Sequence, residues 1–288
     1  MEKERTVGKY RILDTLGEGG EGCVYLAEDE SLSRKVALKC IRQAEKTEEE
    51  IRREAAFLRD LRHPMLPVVY ELFYEDDWYL AMEYIEGETL QHYLESHGRV
   101  EEAKGCVWAD ALLDVLCYLH TRKPPVIYRD LKPDNIIVCR DGTLKLVDFG
   151  GAALKSYGER CVGRMAATAG YAAPEQWPGK GQNPRADERS DLYAFGKILY
   201  YMLTGADPGN PPYTALSIAH YNPLLSAGLE RVIRRCIEEK PEARYQVAEE
   251  AGRDLHRRDL WKRKGTAGGF LRHVEKQVYL TQKVGVGL

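Results

Sequence analysis

The apolar periodicity changes once along the chain, and that change limits the folds open to it. From Tyr10 to about Tyr84 the residues read as strands with one helix among them. Val36-Ala-Leu-Lys-Cys-Ile41 and Trp78 to Tyr84 are strand-like, while Glu48 to Leu61 repeats apolar residues at helical spacing. From Thr89 onward helices dominate. Val107 to His120 carries apolar residues at 107, 112, 115, 116 and 119, and Leu192 to Leu203 is apolar nearly all round, the pattern of a buried helix. One hairpin interrupts the helices: Ile136–Cys139 against Thr143–Val147, joined through Asp141-Gly142. The expectation is an α+β chain with a small strand-rich lobe (residues 8–83), a boundary at 84–88 and a larger helical lobe (89–262). Residues 263–288, opening with the Gly268-Gly269 pair close by, form a linker or tail that is either a short helix or disordered.

Composition excludes several classes of function. The 42 Lys and Arg against 45 Asp and Glu give a net charge of −3, the wrong balance for a protein that grips nucleic acid or an anionic membrane. The longest apolar stretch, Leu192 to Leu203, contains Lys197 and falls short of the ~20 residues that cross a bilayer. The start, Met1-Glu-Lys-Glu-Arg5, lacks the apolar core of a secretory signal, so a cytoplasmic location is expected. Seven cysteines with no C-x-x-C pair are expected to be mostly free thiols.

Certain polar residues stand where the pattern calls for apolar ones. Lys39 is the one charge in its strand, sharing a face with Ala37 and Ile41, and a buried ammonium needs a counter-charge or an anionic ligand. In the next helix Ile51, Ala55, Leu58 and Leu61 form the apolar stripe, and Glu54 falls inside it. Glu54 is therefore the natural partner of Lys39, although such a pair taken alone also fits a rim ion pair or a snorkelling lysine. Upstream, Leu16-Gly-Glu-Gly-Gly-Glu-Gly-Cys-Val24 is a G-x-G-x-x-G-x-V stretch between strands. Gly17, Gly19 and Gly22 would let backbone N–H groups approach phosphate oxygens, or simply form a flexible turn. No helix follows as in a dinucleotide-binding βαβ unit, and the Gly-Lys-Ser/Thr of a Walker loop is missing.

With a two-residue turn at Asp141-Gly142, the hairpin sets Asn135 opposite Asp148 at roughly 5 Å. A bulged turn shifts this by one residue. An amide oxygen and a carboxylate there are hard ligands suited to Mg2+, while a turn cap is the other reading of either residue. Tyr128-Arg-Asp-Leu-Lys-Pro-Asp-Asn135 adds a carboxylate at Asp130 and cations at Arg129 and Lys132.

In order and spacing these elements resemble the protein kinase family: the glycine loop, Val36-Ala-Leu-Lys39, Glu54, Arg129-Asp130 with Asn135, Asp148-Phe-Gly150, and Ala173-Pro-Glu175. The resemblance runs from about Gly8 to Trp261 and is strongest to the eukaryotic-like serine/threonine kinases of bacteria. It implies a two-lobed α+β kinase fold and transfer of the γ-phosphoryl of ATP to protein serine or threonine, with Mg2+ (or Mn2+) as the metal. Lys39, fixed by Glu54, would hold the α and β phosphates; Asn135 and Asp148 would bind metal; Asp130 would accept the hydroxyl proton. Lys132 would contact the transferring phosphoryl, and Thr168 would bond near the base. Met82 falls at the gatekeeper position, with the backbone of Glu83 and Ile85 facing adenine and Leu16, Val24, Ala37 and Ile137 enclosing the purine. Glu175 would pair with Arg244, and Asp191 would brace the catalytic loop.

Two departures stand out. Tyr128 replaces the usual histidine before Arg129. Arg129 implies a phosphorylated loop, yet between Gly150 and Thr168 the only hydroxyl residues are Ser156 and Tyr157. The enzyme is then either active without loop phosphate, with Glu159 supplying charge, or switched through Ser156. Protein substrates and self-association for autophosphorylation are the implied partners, with no nucleic acid. A nucleotide-binding pseudokinase scaffold and a small-molecule phosphotransferase are the alternatives. Many bacterial relatives continue into a membrane segment and a sensor, so the chain could be the cytosolic part of a longer anchored protein.

Overall fold

The computed structural model describes residues 5–19, 22–41, 47–150, 152–154, 161–162, 168–177, 185–211, 213 and 217–258. In chain order the elements are β1 (Thr6–Val7), β2 (Tyr10–Gly19), β3 (Gly22–Asp29), β4 (Arg34–Ile41), α1 (Glu48–Asp60), β5 (Val69–Glu75), β6 (Asp77–Glu83), β7 (Gly87–Thr89), α2 (Leu90–His97) and α3 (Glu102–His120). There follow β8 (Val126–Ile127), β9 (Ile136–Cys139), β10 (Leu144–Leu146), β11 (Ala153–Leu154), β12 (Cys161–Val162), β13 (Arg185–Ala186), α4 (Glu188–Thr204), α5 (Ile218–Tyr221), α6 (Ala227–Cys236) and α7 (Ala248–His256). The chain divides into two compact units, residues 1–87 with 137–150, and residues 88–136 with 151–288.

The first unit is an antiparallel sheet of order β1-β2-β3-β4-β6-β5 with α1 on one face. Alternation along β4 buries Val36, Leu38 and Cys40 in a core with Tyr10, Ala27, Tyr79 and Ala81. The opposite face is covered by α1, whose Ala55 and Leu58 pack with Leu80, Ile41 and Met82. Helix α1 starts at a reciprocal cap. The Thr47 hydroxyl accepts from the Glu50 N–H, and the Glu50 carboxylate accepts from the Thr47 N–H at 2.8 Å.

The hairpin β9–β10 belongs to this first unit although it follows α3 in sequence. Of the two turns open to Asp141-Gly142, it takes the bulged one. The Gly142 N–H bonds the Cys139 carbonyl, the Cys139 N–H bonds the Thr143 carbonyl, and Gly142 has φ +82°. This is a three-residue loop with a glycine bulge, which shifts the register by one residue. Asp141 favours it by accepting from both the N–H and the hydroxyl of Thr143, bonds that hold its carboxyl below the ordinary aspartate range.

In the second unit α4 is central, packed by α3, α5 and α6, with α7 against α3 and α6. Every residue of α4 from Ser190 to Thr204 is buried, so the all-round apolar pattern reads out as expected, with Lys197 buried among them. Asp187 caps the helix start, and Gly205 ends it at φ +72°. A Cβ at Gly196 would stand 2.4 Å from the Cys236 Cβ, so glycine sets the approach of α6 to α4. Helix α3 begins five residues before the expected Val107, and Val107 itself is 67% exposed. The buried stripe runs instead through Cys106, Trp108, Ala109, Leu112, Leu113, Val115, Leu116 and Leu119. Among the described residues no helix is long and apolar enough to cross a membrane.

Candidate active site

In the first unit, strand register lines up several of the residues singled out in the sequence. Gly17 is opposite Val24, Val24 is opposite Lys39, and Lys39 is opposite Leu80. Directly opposed residues share a face, so these lie in one row across four strands, with Ala37 and Met82 forming the next pair. This is the face that α1 covers, and Glu54 sits half-buried on that helix between Ile51 and Ala55. Leu16 is exposed, while Val24, Ala37, Met82, Ile85 and Ile137 are half-buried. The Glu83 N–H donates to the Val68 carbonyl at 2.8 Å, and its carboxylate accepts from the Val68 N–H. Of the Glu83 peptide groups, the carbonyl is thus the one suited to a ligand.

Lys39 has an anionic partner that the sequence reading did not name. Its Nζ is 2.8 Å from Asp148 Oδ1, and the side chains are 15% and 50% exposed. Asp148 Oδ1 also accepts from the Gly150 N–H, and the residue is held at φ +61°. A non-glycine residue in this region costs roughly 1–3 kcal/mol and persists where its surroundings impose it. The half-exposed carboxylate offers the hard oxygen donors that Mg2+ takes.

In the second unit, the loop after β8 brings four side chains together. Thr168 donates its hydroxyl to Asp130 Oδ1 at 2.9 Å, Lys132 Nζ is 2.9 Å from Asp130 Oδ2, and Asn135 Nδ2 donates to the Asp130 backbone carbonyl at 2.8 Å and to Oδ2 at 3.1 Å. Lys132 Nζ reaches Thr168 Oγ1 at 3.4 Å. The Asp130 side chain, only 10% exposed, is thereby oriented from three directions. Because Asn135 uses its amide nitrogen for both bonds, its carbonyl oxygen is the atom directed elsewhere.

The loop itself hangs on Asp191. This carboxylate, 1% exposed at the start of α4, accepts from the N–H groups of Tyr128 and Arg129 at 2.8 Å each. Arg129 adopts φ +68°, a turn that these bonds hold in place. Two supports escaped the sequence reading. His120 Nε2 lies 2.9 Å from Asp191 Oδ2, and the buried Gln176 donates to the Arg129 carbonyl at 2.9 Å. A histidine ending a helix and a glutamine after Pro-Glu carry no local signal of these distant bonds. Tyr128, where the family pattern has histidine, is fully buried.

Glu175 and Arg244 meet as a two-pronged pair, Nη1 to Oε1 at 2.7 Å and Nη2 to Oε2 at 2.8 Å. The guanidinium also donates to the carbonyls of Arg189, Glu238 and Glu239, so the buried cation is fully engaged. Ser190 adds a 2.7 Å bond to Glu175 Oε1. Behind this segment Tyr171 donates to Asp207 at 2.6 Å, and burial together with that carboxylate pushes the phenol pKa far up. Ser156, Glu159 and the 263–288 tail lie outside the described residues.

The family model described as "Protein kinase domain" matches residues 10–255. The chain is 33% identical over 270 residues to serine/threonine-protein kinase PrkC of Bacillus subtilis, a match covering 88% of this chain and 41% of that protein. It is 34% identical over 265 residues to serine/threonine-protein kinase PknA of a Nostoc species, covering 84% and 46%. The chain thus spans less than half the length of these relatives. Among solved structures, the Mycobacterium tuberculosis PknI kinase domain superposes with a TM-score of 0.67 at 22% identity, over 90% of this chain and 99% of that one. That likeness establishes the α+β kinase fold.

Proposed function

This chain belongs to the protein kinase family, and from that premise we propose that it transfers the γ-phosphoryl group of ATP to serine or threonine hydroxyls of proteins. The observation that carries the reading is the Asp130 carboxylate held by Thr168, Lys132 and Asn135. A base fixed in this way accepts the hydroxyl proton as the oxygen attacks, with no reorientation at the moment of reaction. Lys132 places a cation where charge grows on the transferring phosphoryl, and its presence two residues after the base favours serine and threonine over tyrosine. Lys39 holds the α and β phosphates with Glu54 as its positioning residue, and the glycine loop supplies N–H groups over them. Leu16, Val24, Ala37 and Ile137 enclose the purine, which the Glu83 carbonyl and the Ile85 N–H bond at its edge.

Asn135 and Asp148 are the residues that would each offer an oxygen to Mg2+, which would neutralise phosphate charge. Mn2+ fits the same oxygen donors. Arg129 and Ser156 are the regulatory pair of this reading, with Glu159 as the alternative source of charge. A cytoplasmic location fits ATP as the substrate, and the partners of this reading are protein substrates, including a second copy for autophosphorylation.

The test is γ-phosphoryl transfer from Mg-ATP to the chain itself and to a generic basic protein, with acid hydrolysis to identify the phosphoamino acid. Wild type should form phosphoserine or phosphothreonine and Asp148→Ala should form neither. Metal-dependent ATP binding without transfer would replace this reading with a scaffold, and transfer only to small alcohols would replace the substrate class.

A further inference from the structure

The register between β3 and β4 sets Cys23 directly opposite Cys40. Opposed residues of an antiparallel pair project to the same face with Cα atoms about 4.5–5.5 Å apart, inside the roughly 4.4–6.8 Å span that a disulfide bridges. Neither is in a disulfide, and they are 8% and 9% exposed. The strands are pressed together at this point. Gly22, beside Cys23, has φ +140°, and a Cβ there would stand 2.0 Å from the Cys40 carbonyl oxygen, so only glycine permits the approach. The surroundings of the pair are polar as well as apolar. Cys40 Sγ is 4.0 Å from Asp77 Oδ2, and Tyr79, whose phenol pKa is pushed up to about 12 mainly by burial, is the cross-strand neighbour of Cys40 on β6.

The position in sequence gives the pair its consequence. Cys23 stands between Gly22 and Val24 of the glycine-rich stretch, and Cys40 follows Lys39. Val24 and Lys39 are the next pair in register. A covalent link here ties the glycine hairpin to the strand that carries the phosphate-binding lysine.

We propose that Cys23 and Cys40 are a reversible oxidation site that a hydroperoxide closes into an intramolecular disulfide, slowing phosphoryl transfer. One thiolate sulfur attacks a peroxide oxygen, the O–O bond breaks, and the leaving oxygen departs as water or alcohol, leaving a sulfenic acid. The second sulfur then attacks the sulfenic sulfur, the S–O bond breaks, and water leaves with the remaining thiol proton. Two thiols and one hydroperoxide thus give one disulfide, one water and one alcohol (or a second water), with two electrons passing from sulfur to peroxide oxygen. A dithiol reductant reverses the link by exchange. The effect on catalysis rests on the kinase reading above, whereas formation of the link does not.

Two readouts keep these apart. The full chain is reduced, treated with hydrogen peroxide, capped with N-ethylmaleimide and cut with trypsin, which separates the two cysteines at Arg34 and Lys39. The expected product is a Cys23–Cys40 peptide pair lighter by two hydrogens than its parts and released by dithiothreitol. Displacing bound phosphates by about 1 Å costs up to about 10²-fold, so phosphoryl transfer should fall at least about tenfold on oxidation and return on reduction. Transfer by Cys23→Ala and by Cys40→Ala should resist the same treatment. Absence of the linked peptides, or equal linkage of either cysteine to other partners, overturns the site. Linkage with unchanged transfer, or equal loss in the variants, overturns the control of catalysis. The peptide readout holds whether or not the chain transfers phosphate.

Discussion

Lys197→Met should make the protein more stable, by an amount that depends on pH in a defined way. Lys197 lies within the buried α4, 3% exposed. No described carboxylate pairs with it, and its Nζ is 5.5 Å from the centre of the Tyr193 ring. Burial depresses its pKa from 10.5 to about 8. At about 1.36 kcal/mol per unit, that depression corresponds to a cost of about 3 kcal/mol when both folded and unfolded states carry the charge, below pH 8. Between about pH 8 and 10.5 the unfolded chain binds a proton that the folded chain has lost, so this contribution raises stability with pH. Phenols and thiols with raised values, such as Tyr201 and the half-buried Cys117, act in the opposite direction at alkaline pH. The difference between wild type and variant removes them. Urea unfolding should show Lys197→Met more stable by up to about 3 kcal/mol at pH 7, reduced to about 1 kcal/mol at pH 10. Methionine is unbranched and keeps the volume, so packing changes little. A variant no more stable at pH 7, or a gap that does not narrow with pH, would refute the reasoning.

Two other substitutions test the support of the site. Arg244→Met removes both prongs to Glu175 and three bonds to backbone carbonyls, and should cost about 3–5 kcal/mol. At about 2–4 °C per kcal/mol the calorimetric midpoint should drop by roughly 6–20 °C; an unchanged midpoint would contradict the account. Asp191→Asn turns an amide N–H toward a backbone donor at Tyr128 or Arg129, which should cost about 1–3 kcal/mol. It should also lower kcat more than it raises the KM for ATP, because the loop carrying Asp130 is displaced, and steady-state kinetics at varied ATP read this split.

Local patterns proved readable where one element determines the outcome. The stripe of α1, with Glu54 inside it, follows from 3.6-residue spacing and a cap that Thr47 and Glu50 complete between themselves. The run from Leu192 to Leu203 is buried throughout because it is apolar on every side. The clustering of Asp130, Lys132 and Asn135 was legible because the three lie within six positions. What remained hidden depends on chain segments far apart. The partnership of Lys39 with Asp148 spans 109 positions, and that of His120 with Asp191 spans 71. Helix α3 was expected from Val107, where the apolar pattern begins, and the structure starts it at Glu102. Gly105 is buried within that first turn, and a Cβ there would stand 2.7 Å from Leu203 Cδ2, so a larger residue would have to move that side chain. The hairpin turn stayed open in the sequence because Asp-Gly serves both a two-residue turn and a bulged one. The Asp141 bonds to Thr143 select the second.

The most direct test of the central claim compares Asp130→Asn with wild type in two measurements on the same preparation, the rate of γ-phosphoryl transfer from Mg-ATP and the affinity for ATP. The account predicts transfer reduced by about 10²-fold or more with ATP affinity essentially unchanged, because Asp130 acts on the hydroxyl proton. Transfer at the wild-type rate, or loss of ATP binding in step with transfer, would contradict it.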